Sequence, residues 1–150
     1  MELTMLGTGS ALVTECYNTC FVLQEDQQYF MVDGGGGSTI LHQLKHAGIN
    51  WKDIKTIFVT HKHIDHITGI IWMLRMICQH MRQGEYEGEA TVYAHEELIE
   101  LLKNLAVSTS NSYTDDTGYL ALEPAFTQER YEYTAEMYNG KNEFLNIFVE

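Results

Sequence analysis

Thr60-His61-Lys62-His63-Ile64-Asp65-His66 sets four metal-competent side chains, His61, His63, Asp65 and His66, within six positions. Before it, Thr56-Ile57-Phe58-Val59 is a short continuous apolar run, as expected of a strand buried on both faces. After it, Ile67, Ile70, Ile71, Leu74, Ile77, Cys78 and Met81 recur at helical spacing, which predicts a helix of about four turns closed by Gly84. In an extended segment residues i and i+2 point to one side, so His61 and His63 can present their imidazoles to one metal ion. Asp65 and His66 stand where the chain turns into the helix and can face a second ion. A single histidine at a strand end is usually a solvated loop residue or a satisfied core group. Three histidines and an aspartate packed this tightly reverse that reading. Neutral imidazole and carboxylate suit zinc, and manganese or iron fit the same donors.

Toward the N-terminus, Leu3-Thr4-Met5-Leu6 alternates like a strand and ends at Gly7-Thr8-Gly9-Ser10, where two glycines permit a turn with positive φ. Thr19 to Gln24 and Tyr29 to Val32 read as strands joined by a hairpin through Glu25-Asp26-Gln27-Gln28. Asp33-Gly34-Gly35-Gly36-Gly37 reads as a tight turn, since it lacks the GK[ST] ending of a P-loop and the spacing of a dinucleotide fingerprint. Ser38 is a candidate N-cap for a helix with an apolar face of Ile40, Leu41, Leu44 and Ala47, closed by Gly48, and Asn50 can cap the turn Trp51-Lys52-Asp53. Thr91-Val92-Tyr93-Ala94 is a further strand, and Glu96 to Ala106 an amphipathic helix. Strand and helix alternate through residue 106, so the class is α/β. Beyond it, Ser108-Thr109-Ser110-Asn111-Ser112 and Asp115-Asp116-Thr117-Gly118 are linker chemistry, and Phe144 to Val149 is a candidate final strand. His95 is read as structural, and His42, His46 and His80 as surface or boundary residues on helices.

A chain of 150 residues with 45% hydrophobic side chains supports one domain with a real core. Its net charge of −12 disfavours RNA or other nucleic-acid partners held by an electrostatic grip. The N-terminus lacks a secretory pattern and no apolar stretch spans a bilayer, so a cytoplasmic protein without membrane contact is expected. Cys16, Cys20 and Cys78 fit reduced thiols.

Thr60 to His66 resembles the HxHxDH motif of the metallo-β-lactamase superfamily. Leu6-Gly7-Thr8-Gly9-Ser10-Ala11 is similar to the opening of ribonuclease Z and its phosphodiesterase relatives, and Val32-Asp33-Gly34-Gly35 to the family's second-strand turn. The resemblance implies an αβ/βα sandwich, of which residues 1–106 supply the N-terminal half and 107–150 a short, divergent acidic tail. It implies a metal-dependent hydrolase in which His61 and His63 bind one Zn2+ and His66 the other, with Mn2+ or Fe2+ as alternatives. Asp65 then binds the second ion and is catalytic, orienting the attacking water. Asp33 fixes a histidine ligand from behind, or else simply caps its turn.

The implied substrate is a phosphodiester, small-molecule or nucleotide, attacked by metal-bound hydroxide; lactones, thioesters and cyclic phosphodiesters are cleaved by relatives with the same ligands. Family members take further ligands from a later half, and here no histidine follows His95. Where those later ligands are required the chain is inactive on its own, and a non-catalytic remnant or binding module of the same fold is the alternative. A fragment of a longer hydrolase, a tail that closes the sandwich, or a homodimer across an exposed apolar sheet face would each account for the shortness.

Overall fold

The computed structural model describes residues 1–109 and 120–126; the candidate strand from Phe144 to Val149 lies outside them. Strands β1 (Glu2–Gly7), β2 (Cys20–Glu25) and β3 (Gln28–Val32) form an antiparallel meander. From β3 the sheet continues in parallel through β4 (Ile54–Phe58), β5 (Ala90–His95) and β6 (Leu120–Phe126), in the order β1-β2-β3-β4-β5-β6. Parallel neighbours need crossovers, and helices α1 (Thr39–His46), α2 (Ile64–Arg82) and α3 (Glu96–Thr109) supply them. Each crossover advances one strand in the same direction, and right-handed connections of that kind place every helix on one face of the sheet. α1 accordingly packs on α2, and α2 on α3.

The strand register shows which side chains meet those helices. Val22, Met31, Ile57 and Val92 stand opposite one another across β2 to β5 and are at most 1% exposed. Ile40 and Leu44 of α1, Ile70, Met73, Leu74 and Ile77 of α2, and Leu98 and Leu102 of α3 join them in one core. Burying each such side chain contributes about 1.5–3 kcal/mol. The opposite row, Met5, Phe21, Val32, Phe58 and Tyr93, points away from the helices. On that face Leu3, Met5 and Tyr93 are exposed, and Thr56 and Phe58 are only half-buried. Among the described residues, helices cover β4 on one side only, so its second face is half-buried rather than enclosed as its apolar run predicted.

Local differences from the sequence expectations have identifiable causes. α2 starts at Ile64, so Asp65 and His66 lie inside its first turn, with His63 as the extended residue before it. Ser38 has helical dihedrals already and makes no side-chain cap, whereas Asn50 does accept the Lys52 N–H. Gly7 and Gly9 do not have positive φ. They are glycines because a Cβ at Gly7 would strike the carbonyls of Tyr17 and Asn18, and one at Gly9 the Val13 side chain. β6 is not anticipated by the sequence: it follows linker-like text and carries Pro124, which the end position of its strand in the described sheet tolerates. No helix among the described residues is long and apolar enough to cross a membrane.

Candidate metal centre

Parallel pairing of Val32 with Phe58 brings the residues just after β3 and β4 side by side, and the first turn of α2 closes over them. Asp33 is the hub. Its backbone N–H donates to the Phe58 carbonyl at 2.9 Å. Its φ of +57° is left-handed, a conformation that aspartate tolerates better than most non-glycine residues. Oδ1 accepts the Thr60 backbone N–H at 2.8 Å. Oδ2 accepts the Thr60 hydroxyl at 2.7 Å and His66 Nδ1 at 2.8 Å. The carboxylate is buried.

These bonds fix the tautomers. An ionised carboxylate can only accept, so the Thr60 hydroxyl spends its one proton on Asp33. Its oxygen must then accept from His61 Nδ1, which lies 2.8 Å away. Both His61 and His66 therefore carry a proton on Nδ1, so that in the neutral ring Nε2 is the atom that offers a lone pair. The two rings are 4.0 Å apart between centroids. His61 Nε2 approaches His63 Nδ1 to 3.1 Å, and His66 Nε2 approaches Asp65 Oδ2 to 3.4 Å.

His61, His66 and Asp33 thus each place one ligand-type atom within 4.8 Å of the others. His63 joins this group through His61, and Asp65 through His66. The donor chemistry fits a zinc-class ion. Two nitrogens bound tetrahedrally at ~2.0–2.1 Å stand roughly 3.3 Å apart, close to the His61–His63 separation. Asp65 lies in the first turn of α2, where the positive end of the helix dipole favours a carboxylate.

Burial, with the neighbouring His66 and His63 rings, lowers the His61 pKa below its ordinary value; Asp33 and Asp65 act the other way. The ring is consequently neutral, and a competent donor, at neutral pH. The unfolded chain protonates it at higher pH than the folded chain does. Its contribution to stability is thus full above about pH 6.5 and lost as pH falls through the lowered folded value. We expect the drop in melting temperature of the metal-free chain between pH 7.5 and 5.5 to be smaller in His61→Asn than in the unsubstituted chain.

A second set of contacts holds the site to the rest of the fold. Gly34 N–H donates to the His66 carbonyl and Gly69 N–H to the Gly35 carbonyl, each at 2.9 Å. The Tyr17 hydroxyl stands 2.7 Å from the Gly34 carbonyl and 3.0 Å from that of Gly37, and burial raises its pKa. Cys20 is buried near Asp33, and burial first, then the carboxylate, pushes its thiol up to about 12.

Thr60, Gly69 and Tyr17 are functional supports that sequence reasoning did not single out. The signal for Gly69 was present, as a lone glycine inside an apolar helical run. His95 accepts the Glu97 N–H at 3.3 Å, at the start of α3.

A helix-covered mixed sheet bearing His-x-His-x-Asp-His between a parallel strand and its following helix defines an α/β protein of the metallo-β-lactamase fold. The short form of human tRNase Z shares this fold with a TM-score of 0.64 at 21% identity, covering 83% of this chain and 44% of that one. A diphosphatase from the PhnP family gives 0.61 at 20% identity, covering 83% and 50%. Ribonuclease Z of Rippkaea orientalis is a distant relative, 28% identical over 137 residues, which cover 89% of this chain and 42% of the relative. The family described as "Anti-Pycsar protein Apyc1" matches residues 1–147, and the chain belongs to that family. The chain spans 23–42% of the length of the curated relatives it matches.

Proposed function

We propose that this chain carries the first metal ligands of a metal-dependent phosphodiester hydrolase, with residues 1–106 as the metal-bearing unit. The reading rests chiefly on the Asp33–Thr60 bonding, which occupies Nδ1 of His61 and His66 and makes their Nε2 atoms the ligand atoms of one patch. His61 and His63 would hold one ion, and His66 and Asp65 a second; zinc suits these donors, with manganese or iron as alternatives. A bound ion of this class polarises a phosphoryl oxygen and makes water acidic enough to act as a nucleophile near neutral pH. Asp65 orients that water. Asp33 has three of about four acceptor positions taken up by Thr60 and His66, which supports a role in aiming His66 rather than in ligation.

A nucleotide phosphodiester, cyclic forms included, is the substrate class that membership of the Apyc1 family and the ribonuclease Z and diphosphatase relatives favour. The net charge of −12 disfavours long RNA.

Elemental analysis of metal per chain, combined with hydrolysis of bis(p-nitrophenyl) phosphate in added Zn2+ or Mn2+, tests this reading. Near-stoichiometric metal and a turnover reduced at least ~100-fold by Asp65→Ala are expected. A second reading is a non-catalytic binding module of the same fold. Sub-stoichiometric metal together with no turnover would establish it for this chain.

A further inference from the structure

We propose that α1 carries a separate metal site, in which His42 and His46 chelate a divalent transition ion such as Cu2+, Ni2+ or Zn2+. Ile40 and Leu44 are buried and fix α1 against the core. His42 and His46 are both exposed, and their rings lie 4.3 Å apart between centroids. The separation is close to the 4.5 Å of His61–His63, the pair proposed above to share one ion, so the two rings on α1 are near enough to reach a common ion. Histidines four apart share one helix face, the arrangement by which a helix presents two nitrogen ligands to one ion.

Electrostatics support the placement. His46 is the last residue of α1, at the negative end of the helix dipole, which favours a cation. The chain's net charge of −12 raises the local cation concentration further. Lys45 opposes binding, but its charge sits on a flexible stem that can turn into solvent. Two protein ligands leave the other coordination positions to water, so the site exchanges its ion readily. Imidazole donors select borderline ions; Mg2+ and Ca2+, which require oxygen ligands, are excluded.

The test is calorimetric titration of the whole chain with Cu2+, beside His42→Ala, His46→Ala and the double variant. Both positions are on the surface, and uptake elsewhere in the chain is common to all four proteins. The unsubstituted chain is expected to bind one Cu2+ more than the double variant. Each single variant should weaken that additional event at least about tenfold, through loss of one of two coordinate bonds. Equal stoichiometry in the unsubstituted chain and the double variant would overturn the proposal. So would a single variant that binds the additional ion with undiminished affinity, since chelation requires both rings.

Discussion

Replacing Asp33 by alanine is expected to destabilise the folded chain by about 3–5 kcal/mol and to abolish organised metal uptake at His66. The substitution removes the acceptor for the Thr60 N–H, the Thr60 hydroxyl and His66 Nδ1 at once. A buried donor left without a partner costs about 1–3 kcal/mol, and the Thr60 N–H that Asp33 accepts is part-buried. Alanine must also adopt the left-handed φ of +57°, which adds about 1 kcal/mol. Urea denaturation measures the stability change directly.

Asp33→Asn separates stability from metal binding. The asparagine oxygen can keep the Thr60 N–H, and asparagine tolerates the left-handed backbone, so the stability loss should be well under half that of alanine. Its NH2 group, however, now faces His66 Nδ1 or the Thr60 hydroxyl. It can only donate, which draws the proton of a neutral imidazole from Nδ1 to Nε2 and fills the lone pair that a metal needs. Metal affinity should fall by about 10- to 100-fold while the fold survives. An Asp33→Asn chain that binds Zn2+ as tightly as the unsubstituted one would show that Asp33 does not control the tautomer.

The part of this site that could be read from sequence is the part written contiguously. His61, His63, Asp65 and His66 share six positions, and the apolar period of α2 begins beside them, so local periodicity alone places them at a strand-to-helix junction. Asp33 was visible as a candidate but undecided between capping its turn and positioning a histidine. The carboxylate reaches beyond its own turn, with Oδ1 on the Thr60 backbone and Oδ2 shared by the Thr60 hydroxyl and His66, which favours the second role. That answer depends on the β3–β4 register, which links residues 27 apart and leaves no local trace.

The same limit explains Gly7 and Gly9. Local propensity offers positive φ as the reason for a glycine, whereas the operative reason is close approach by the 13–18 segment. β6 escaped notice because no hydrophobic period precedes it, and its pairing is decided by the edge that β5 presents.

Gly69→Ala carries the other large effect, and its sign opposes the usual rule. In an exposed helix interior this change stabilises by up to about 1 kcal/mol, because alanine has less backbone freedom to lose. At position 69 the added Cβ would drive into the carbonyl of Gly34. The turn cannot retreat easily: it is tied to α2 by Gly34 N–H to His66 and by Gly69 N–H to Gly35, and held from behind by the Tyr17 hydroxyl. Separating the two elements would stretch those backbone bonds, each contributing about 1 kcal/mol, on top of roughly 1–3 kcal/mol for overpacking. The expected net loss is at least ~3 kcal/mol, or a fall in melting temperature of about 10 °C for a chain of this size. Because α2 also carries His66, the same displacement lengthens its 2.8 Å bond to Asp33, so Zn2+ affinity should fall together with stability. A Gly69→Ala chain that melts at or above the unsubstituted temperature would mean that helix and turn are not in contact, and the account of how Asp33 reaches His66 would fail with it.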